Sequence, residues 1–233
     1  MIKHLPNFIT CLNLFSGSIA LTYAVQNDLK TAAYFILLAA LFDFMDGLVA
    51  RALNAYSEIG KQLDSLADMV SFGLLPGVFI YMMLKSSLEA NVLPEILAYT
   101  GFIVTIFSAL RLAKFNIDTR QTENFIGLAT PANTLFFISL PFIQDQGIEA
   151  LMFLTQPHIL ILLTLGFSYL LVSEISLFSL KFKSLSWDKN NFRYILLALS
   201  LLLIILFKFA AVPMIIVLYI LLSIIFVQKF KSI

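Results

Sequence analysis

The fold class predicted by this sequence is an all-α integral membrane protein: one transmembrane domain, a bundle of about eight transmembrane helices, with both termini cytosolic (N-in/C-in). Three observations carry that expectation. Of the 233 residues, 60% are apolar and only 12% are charged, whereas soluble domains carry about 25% charged residues. A soluble core of this size would have too little polar residue to cover its surface. The tail from Asn191 to Val227 reads as two Leu/Ile/Phe runs broken near Lys208 and Pro213, each close to the ~20 residues that cross ~30 Å of hydrocarbon. Finally, the lysines and arginines fall unevenly on the two sides that such a bundle defines.

Hydropathy places the segments near 8–25, 31–53, 61–84, 93–113, 130–144, 158–178, 192–208 and 211–228. The first follows a basic start (Met1-Ile2-Lys3-His4) but contains Asn7, Asn13 and Gly17 and lacks a small-residue cleavage site, so it reads as retained. The second and third carry the acidic residues discussed below, and the fifth is short. The sixth holds Glu174, best read as a helix-end residue at the cytosolic interface, and His158 reads as a loop or helix-start residue. No internal repeat is evident, which gives an inverted-repeat transporter no support. With the N-terminus inside, the cytosolic side receives Lys3, Arg51, Lys61, Arg111, Lys114, Arg120, Lys181, Lys183, Lys189, Arg193, Lys229 and Lys231, twelve of the 15 basic residues. Lys30, Lys85 and Lys208 fall outside. This is the positive-inside pattern.

Net charge is +1, so overall electrostatics point to no nucleic acid partner. One cysteine, Cys11, excludes an internal disulfide and a cysteine metal cluster. The two histidines, His4 and His158, are far apart in sequence, which argues against a zinc site or a histidine-based triad.

The informative stretch is LFDFMDGLVARALNAYSEIGKQLDSLADMV. Asp43, Asp46, Asp64 and Asp68 sit in or beside apolar helices, where each costs about 2.5–3.5 kcal/mol at a helix centre. Arg51 and Lys61 cannot neutralise four aspartates plus Glu58, so helix-end ion pairing does not account for them. At about 100° per residue, Asp43 and Asp46 share one helical stripe, and Asp64 and Asp68 share another. Stripes that face each other would bring four like charges together, which requires protonation or bound cations. Oxygen-only ligands favour Mg²⁺ or Mn²⁺, and two such ions suit attack at a phosphorus carrying a diphosphate. Gly47 and Gly60, on the same stripes, permit close approach of a helix or a bulky ligand. Arg51 can offer a bidentate fork to phosphate.

The pattern Asp43-x2-Asp46-Gly47-x2-Ala50-Arg51-x8-Gly60-x3-Asp64-x3-Asp68 resembles the signature of the CDP-alcohol phosphotransferase family at every fixed position. Outside it, LPNFITCLNLFSG (5–17), SFGLLPG (71–77), ALRLAKFN (109–116) and FIGLATPAN (125–133) resemble the phosphatidylserine-forming branch of that family. Ala129 stands where the branch usually has proline, and Leu75 where it usually has a small residue. The resemblance implies a catalytic core over 1–135 followed by additional transmembrane helices over 136–233. It also implies transfer of a phosphatidyl group from CDP-diacylglycerol to L-serine with release of CMP, in the inner cell membrane with the site facing the cytosol. By the same resemblance Asp43, Asp46, Asp64 and Asp68 bind two ions, Mg²⁺ or Mn²⁺, and Asp68 doubles as general base. Asn7, Asn13, Gly47, Ala50, Arg51, Ser57 and Gly60 would serve the CDP group, and the protein would be a homodimer among membrane lipids.

For the serine carboxylate, Arg111, Lys114 and Asn116 lie on the cytosolic end of the fourth segment, with Ser71 and Gly73 as further acceptor-site candidates. Lys114 reads equally well as an interfacial anchor. No cysteine or histidine lies near the aspartates in sequence to form a covalent intermediate, so direct displacement is expected. The rival readings are a sister enzyme using glycerol 3-phosphate or inositol phosphate, and a divalent-cation transporter.

Overall fold

The computed structural model describes residues 4–90, 94–118, 125–179 and 186–231. Helices α1 (Leu5–Val25) and α2 (Leu29–Ala52) form an antiparallel hairpin. Its corner uses Asn27 at φ +65° and Asp28, which N-caps α2 by accepting from the Thr31 N–H at 3.1 Å. Asparagine tolerates left-handed backbone, and a capping aspartate satisfies an otherwise orphaned amide. The hairpin closes over small side chains: Ala20, Ala24, Ala32, Ala33 and Ala39 are wholly buried.

A second corner at Asn54 (φ +48°) leads into α3 (Glu58–Asp68), capped by Ser57, whose hydroxyl accepts from the Gly60 N–H at 3.0 Å. The helix widens to a π-helix over Met69–Leu74 and continues as α4 (Leu75–Ala90). The π turn begins directly after Asp68, and such turns concentrate at functional sites. A 3-10 turn, Glu95–Gly101, opens α5 (Phe102–Ile117). After it come β1 (Phe125–Ile126), α6 (Thr130–Ser139) and α7 (Pro141–Asp145), the last two separated where Pro141 lacks an N–H to continue the helix. A 3-10 segment, Glu149–Thr155, meets α8 (Pro157–Val172) at a 70° bend. The chain finishes with β2 (Ser176–Leu177), α9 (Trp187–Phe207) and α10 (Val212–Lys231).

Each of the eight hydropathy segments is therefore helical, with adjusted ends. The sixth stops at Val172 instead of 178, because its last residues pair as β2 with β1, antiparallel, Phe125 opposite Leu177. That strand pair has no counterpart in the all-α expectation. By length and apolarity, five helices can cross a membrane, or six if the bent pair ending in α8 counts as one span. One of the five stretches, Asn190–Phe226, is 37 residues long and contains the turn at Lys208 (φ +48°), across which α9 packs on α10. Large apolar side chains such as Phe8, Phe15, Phe44, Leu201 and Ile205 are exposed, as in a bundle whose outer faces meet lipid.

Two apolar layers hold the bundle. Ile36, Phe72, Leu75 and Phe79 fasten α4 to the α1–α2 hairpin. Leu84, Phe136, Phe137 and Phe167 join α4, α6 and α8, with the rings of Phe136 and Phe167 4.1 Å apart. Among the cations of the charge asymmetry, Lys3, Arg120, Lys181 and Lys183 lie outside the described residues, as do the side chains of Lys189, Lys229 and Lys231.

Candidate active site and metal centre

The last third of α2 and the whole of α3 run past the first half of α1, and the acidic residues meet there. One carboxylate oxygen each from Asp43, Asp64 and Asp68 lies within 4.8 Å of the others. All three residues are half-buried, and among the described residues no lysine or arginine forms an ion pair with them. Pairing with Arg51 and Lys61 is thus not what holds these acids. Arg51 is exposed in the last turn of α2, and Lys61 donates instead to the Asn116 carbonyl at 3.0 Å.

Asp46 is not part of this cluster, so the four aspartates do not form one equivalent quartet. It is buried and accepts from the Thr10 hydroxyl at 2.6 Å. Asn13, wholly buried on α1, donates through its amide nitrogen to Asp68 at 3.3 Å. Its amide oxygen is buried without a hydrogen-bond partner. A buried acceptor left unmet costs about 1–3 kcal/mol. Three converging carboxylates and an orphaned amide oxygen beside them are a hard-oxygen donor set, which fits a divalent cation such as Mg²⁺ or Mn²⁺.

Two cavities open near this cluster. The larger, about 580 Å³, is lined by Asn7, Asp46, Gly47, Ala50, Ser57 and Gly60, together with Thr10, Tyr56 and Asp64. Six of the residues expected to serve the CDP group or the metal therefore share one wall system, and Asp64 belongs to both cavity and cluster. Its volume suits a nucleotide-sized ligand. The glycines differ in role. A Cβ on Gly47 would meet nothing within 4 Å, so this glycine leaves room for a ligand. A Cβ on Gly60 would come within 2.9 Å of Asn7 Oδ1 and Ser57 Oγ, so here the absent side chain lets α1 approach α3. Asn13 and Arg51 lie off this lining, the first behind the cluster and the second one residue beyond Ala50.

The smaller cavity, about 300 Å³, lies at the end of α5 and is lined by Arg111 and Lys114 among others. Arg111 is buried, donates from Nε to the Leu128 carbonyl at 3.1 Å, and stacks its guanidinium 4.8 Å from the Phe115 ring centre. It is also close enough to Asp68 to interact electrostatically with it. Asn116 does not join this cavity's lining; its amide donates to Ser65 at 2.8 Å and ties α5 to α3. Ser71 and Gly73 line neither cavity. Ser71 is wholly buried and donates to the Asn13 carbonyl at 3.4 Å, filling the space beside Gly17. Gly73 packs against Met69 and Ser108.

Thr10 and Tyr56 had no place in the sequence reading. A signal for Thr10 exists: Asn7, Thr10 and Asn13 follow one another at i, i+3 and form a polar stripe on an otherwise apolar helix. Tyr56 offers an aromatic face at the cavity mouth and carries no such pattern.

A carboxylate cluster set in apolar helices beside a nucleotide-sized cavity defines a membrane-embedded enzyme. The chain belongs to the CDP-alcohol phosphatidyltransferase family, whose model matches residues 3–170. Among its relatives, the CDP-diacylglycerol–serine O-phosphatidyltransferase of Bacillus subtilis is 34% identical over 173 residues, covering 74% of this chain and 89% of that protein. The protein of the same name from Helicobacter pylori is 30% identical over 198 residues, covering 84% and 80%. The archaetidylserine synthase of Methanothermobacter thermautotrophicus is 35% identical over 129 residues, covering 54% and 53%.

Proposed function

We propose that this enzyme transfers the phosphatidyl group of CDP-diacylglycerol to the hydroxyl of L-serine and releases CMP. The observation that carries the reading is the convergence of Asp43, Asp64 and Asp68 with Asp64 also facing the larger cavity. The names of the relatives support the acceptor. In this reading Asp43, Asp64 and Asp68 hold the cation, and Asp46 completes a two-ion arrangement from the cavity side. Bound Mg²⁺ or Mn²⁺ supplies screening of the diphosphate and of the departing phosphate oxygen.

The protein's own groups do the rest. Asn7, Thr10 and Ser57 offer hydrogen bonds to the CDP group, and Gly47 and Ala50 keep the floor of the cavity low enough to admit it. Arg51, at the end of α2, offers its guanidinium to phosphate. Asp68 accepts the serine hydroxyl proton while the serine oxygen bonds to the phosphorus bearing diacylglycerol and the bond from that phosphorus to CMP breaks. Asn13 holds one Asp68 oxygen, which fixes the direction of the other. Arg111 and Lys114 orient the acceptor through its carboxylate, with Asn116, Ser71 and Gly73 shaping that side from behind. The catalytic core occupies 1–135, the remaining helices complete a bundle of eight crossings, N-in and C-in, and the chain is a homodimer. The site faces the cytosol from the inner cell membrane, where CDP-lipid, cytosolic serine and the anchoring cations meet.

Purified protein supplied with CDP-diacylglycerol and, separately, L-serine, glycerol 3-phosphate and inositol phosphate tests this. CMP release is expected with serine alone among the three, and Asp68→Asn should lower it by roughly 10²–10⁴-fold. Release with glycerol 3-phosphate and none with serine would replace the acceptor. Metal flux into liposomes without any CDP-lipid would favour a transporter.

A further inference from the structure

The smaller cavity has a second wall. Opposite Arg111 and Lys114 stand Ser173 and Glu174, which follow the end of α8. The charged lining residues are Arg111, Lys114, Asp118 and Glu174, two of each sign. Arg111 is only 5% exposed, yet Nε is its one hydrogen-bonded nitrogen; the terminal nitrogens have no protein acceptor among the described residues. A buried guanidinium with its fork open to a cavity is built for a carboxylate or phosphate. The backbone fixes Glu174 relative to that fork. Leu128, whose carbonyl holds Arg111, donates its N–H to the Leu170 carbonyl at 2.9 Å, and Gly127 donates to the Ile175 carbonyl at 2.9 Å. Glu174 lies between those two anchor points. Asp118 stands one turn after Lys114 at the same helix end, whereas Glu174 is the acid on the far wall.

We propose that this cavity holds the acceptor as a zwitterion, with the Arg111 fork on its carboxylate and Glu174 on its ammonium group. Glu174 is then a specificity-determining residue for an amino-acid alcohol. This rests on the serine reading above and adds the source of its selectivity. An acceptor without an amine leaves Glu174 facing unpaired negative charge, and an acceptor without a carboxylate leaves Arg111 unpaired.

The test uses the full-length enzyme, saturating CDP-diacylglycerol and three acceptors: L-serine, glycerate (a hydroxyl in place of the amine) and ethanolamine (no carboxylate). Glu174→Gln should raise KM for serine roughly 10-fold or more, the worth of a charge-assisted hydrogen bond. The loss should appear in KM and not in kcat, and the preference for serine over glycerate should narrow by a similar factor. Glu174→Asp should recover part of it, and Asp118→Asn should shift the ratio less than Glu174→Gln does. An unchanged serine-to-glycerate ratio in Glu174→Gln, or the shift appearing in Asp118→Asn instead, overturns the assignment while serine turnover by the wild type stands. A wild type indifferent to serine overturns the reaction itself, and the inference with it.

Discussion

Thr10 shows how one hydroxyl on α1 governs an acid on α2. Its 2.6 Å bond to Asp46 holds that carboxylate on the wall of the larger cavity, apart from the cluster of Asp43, Asp64 and Asp68. Replacing Thr10 by valine keeps the shape and removes the donor, leaving a buried carboxylate oxygen unmet. A hydrogen bond to a charged group is worth about 1.5–3 kcal/mol. Thr10→Val should therefore lower kcat/KM for the CDP-lipid by roughly 10–100-fold at unchanged expression, read by CMP release. Much of the residue-level chemistry was legible in the sequence. Four aspartates at i, i+3 and i, i+4 spacing in apolar helices have few bland explanations. The division of labour among them was not legible, because it depends on which acid α1 reaches, and that follows from the crossing of three helices.

Among the elements, the segment from Phe125 to Thr130 does more than its length suggests. Gly127 adopts φ +75°, and a Cβ there would come within 2.6 Å of the Leu171 carbonyl oxygen. Both the backbone conformation and the close approach demand glycine. Gly127→Ala should destabilise the protein by about 1–3 kcal/mol, seen as a lower Tm in detergent. It should also raise KM for serine, because Leu128 holds Arg111 from this segment. The helices themselves were legible from apolar runs, down to the break at Pro141. The β1–β2 contact was not, since two-residue strands have no period to read and their pairing joins residues 51 positions apart, Phe125 to Leu177 in register. Asn116 misled for a related reason: it neighbours Arg111 in sequence, but its side chain turns to Ser65 on α3.

At the scale of the molecule, the described cations that flank the acids (Arg51, Lys61, Arg111 and Lys114) gather at one end of the bundle. Lys30 pairs with Asp145 at the other end, beyond the far end of α2. α2 has 24 residues, so the two ends stand about 36 Å apart at ~1.5 Å per residue, enough to span hydrocarbon. The bundle's central task is to bring three like charges from α2 and α3 together without a basic partner, an arrangement that divalent cations make favourable. Titration of purified enzyme with Mn²⁺, followed by the loss of the free-ion EPR signal, measures this directly. Saturable binding by the wild type is expected, with affinity at least roughly 10-fold weaker in Asp64→Asn and a parallel loss of serine-dependent CMP release. Equal Mn²⁺ affinity in wild type and Asp64→Asn, or full turnover by wild type in excess EDTA, would contradict it.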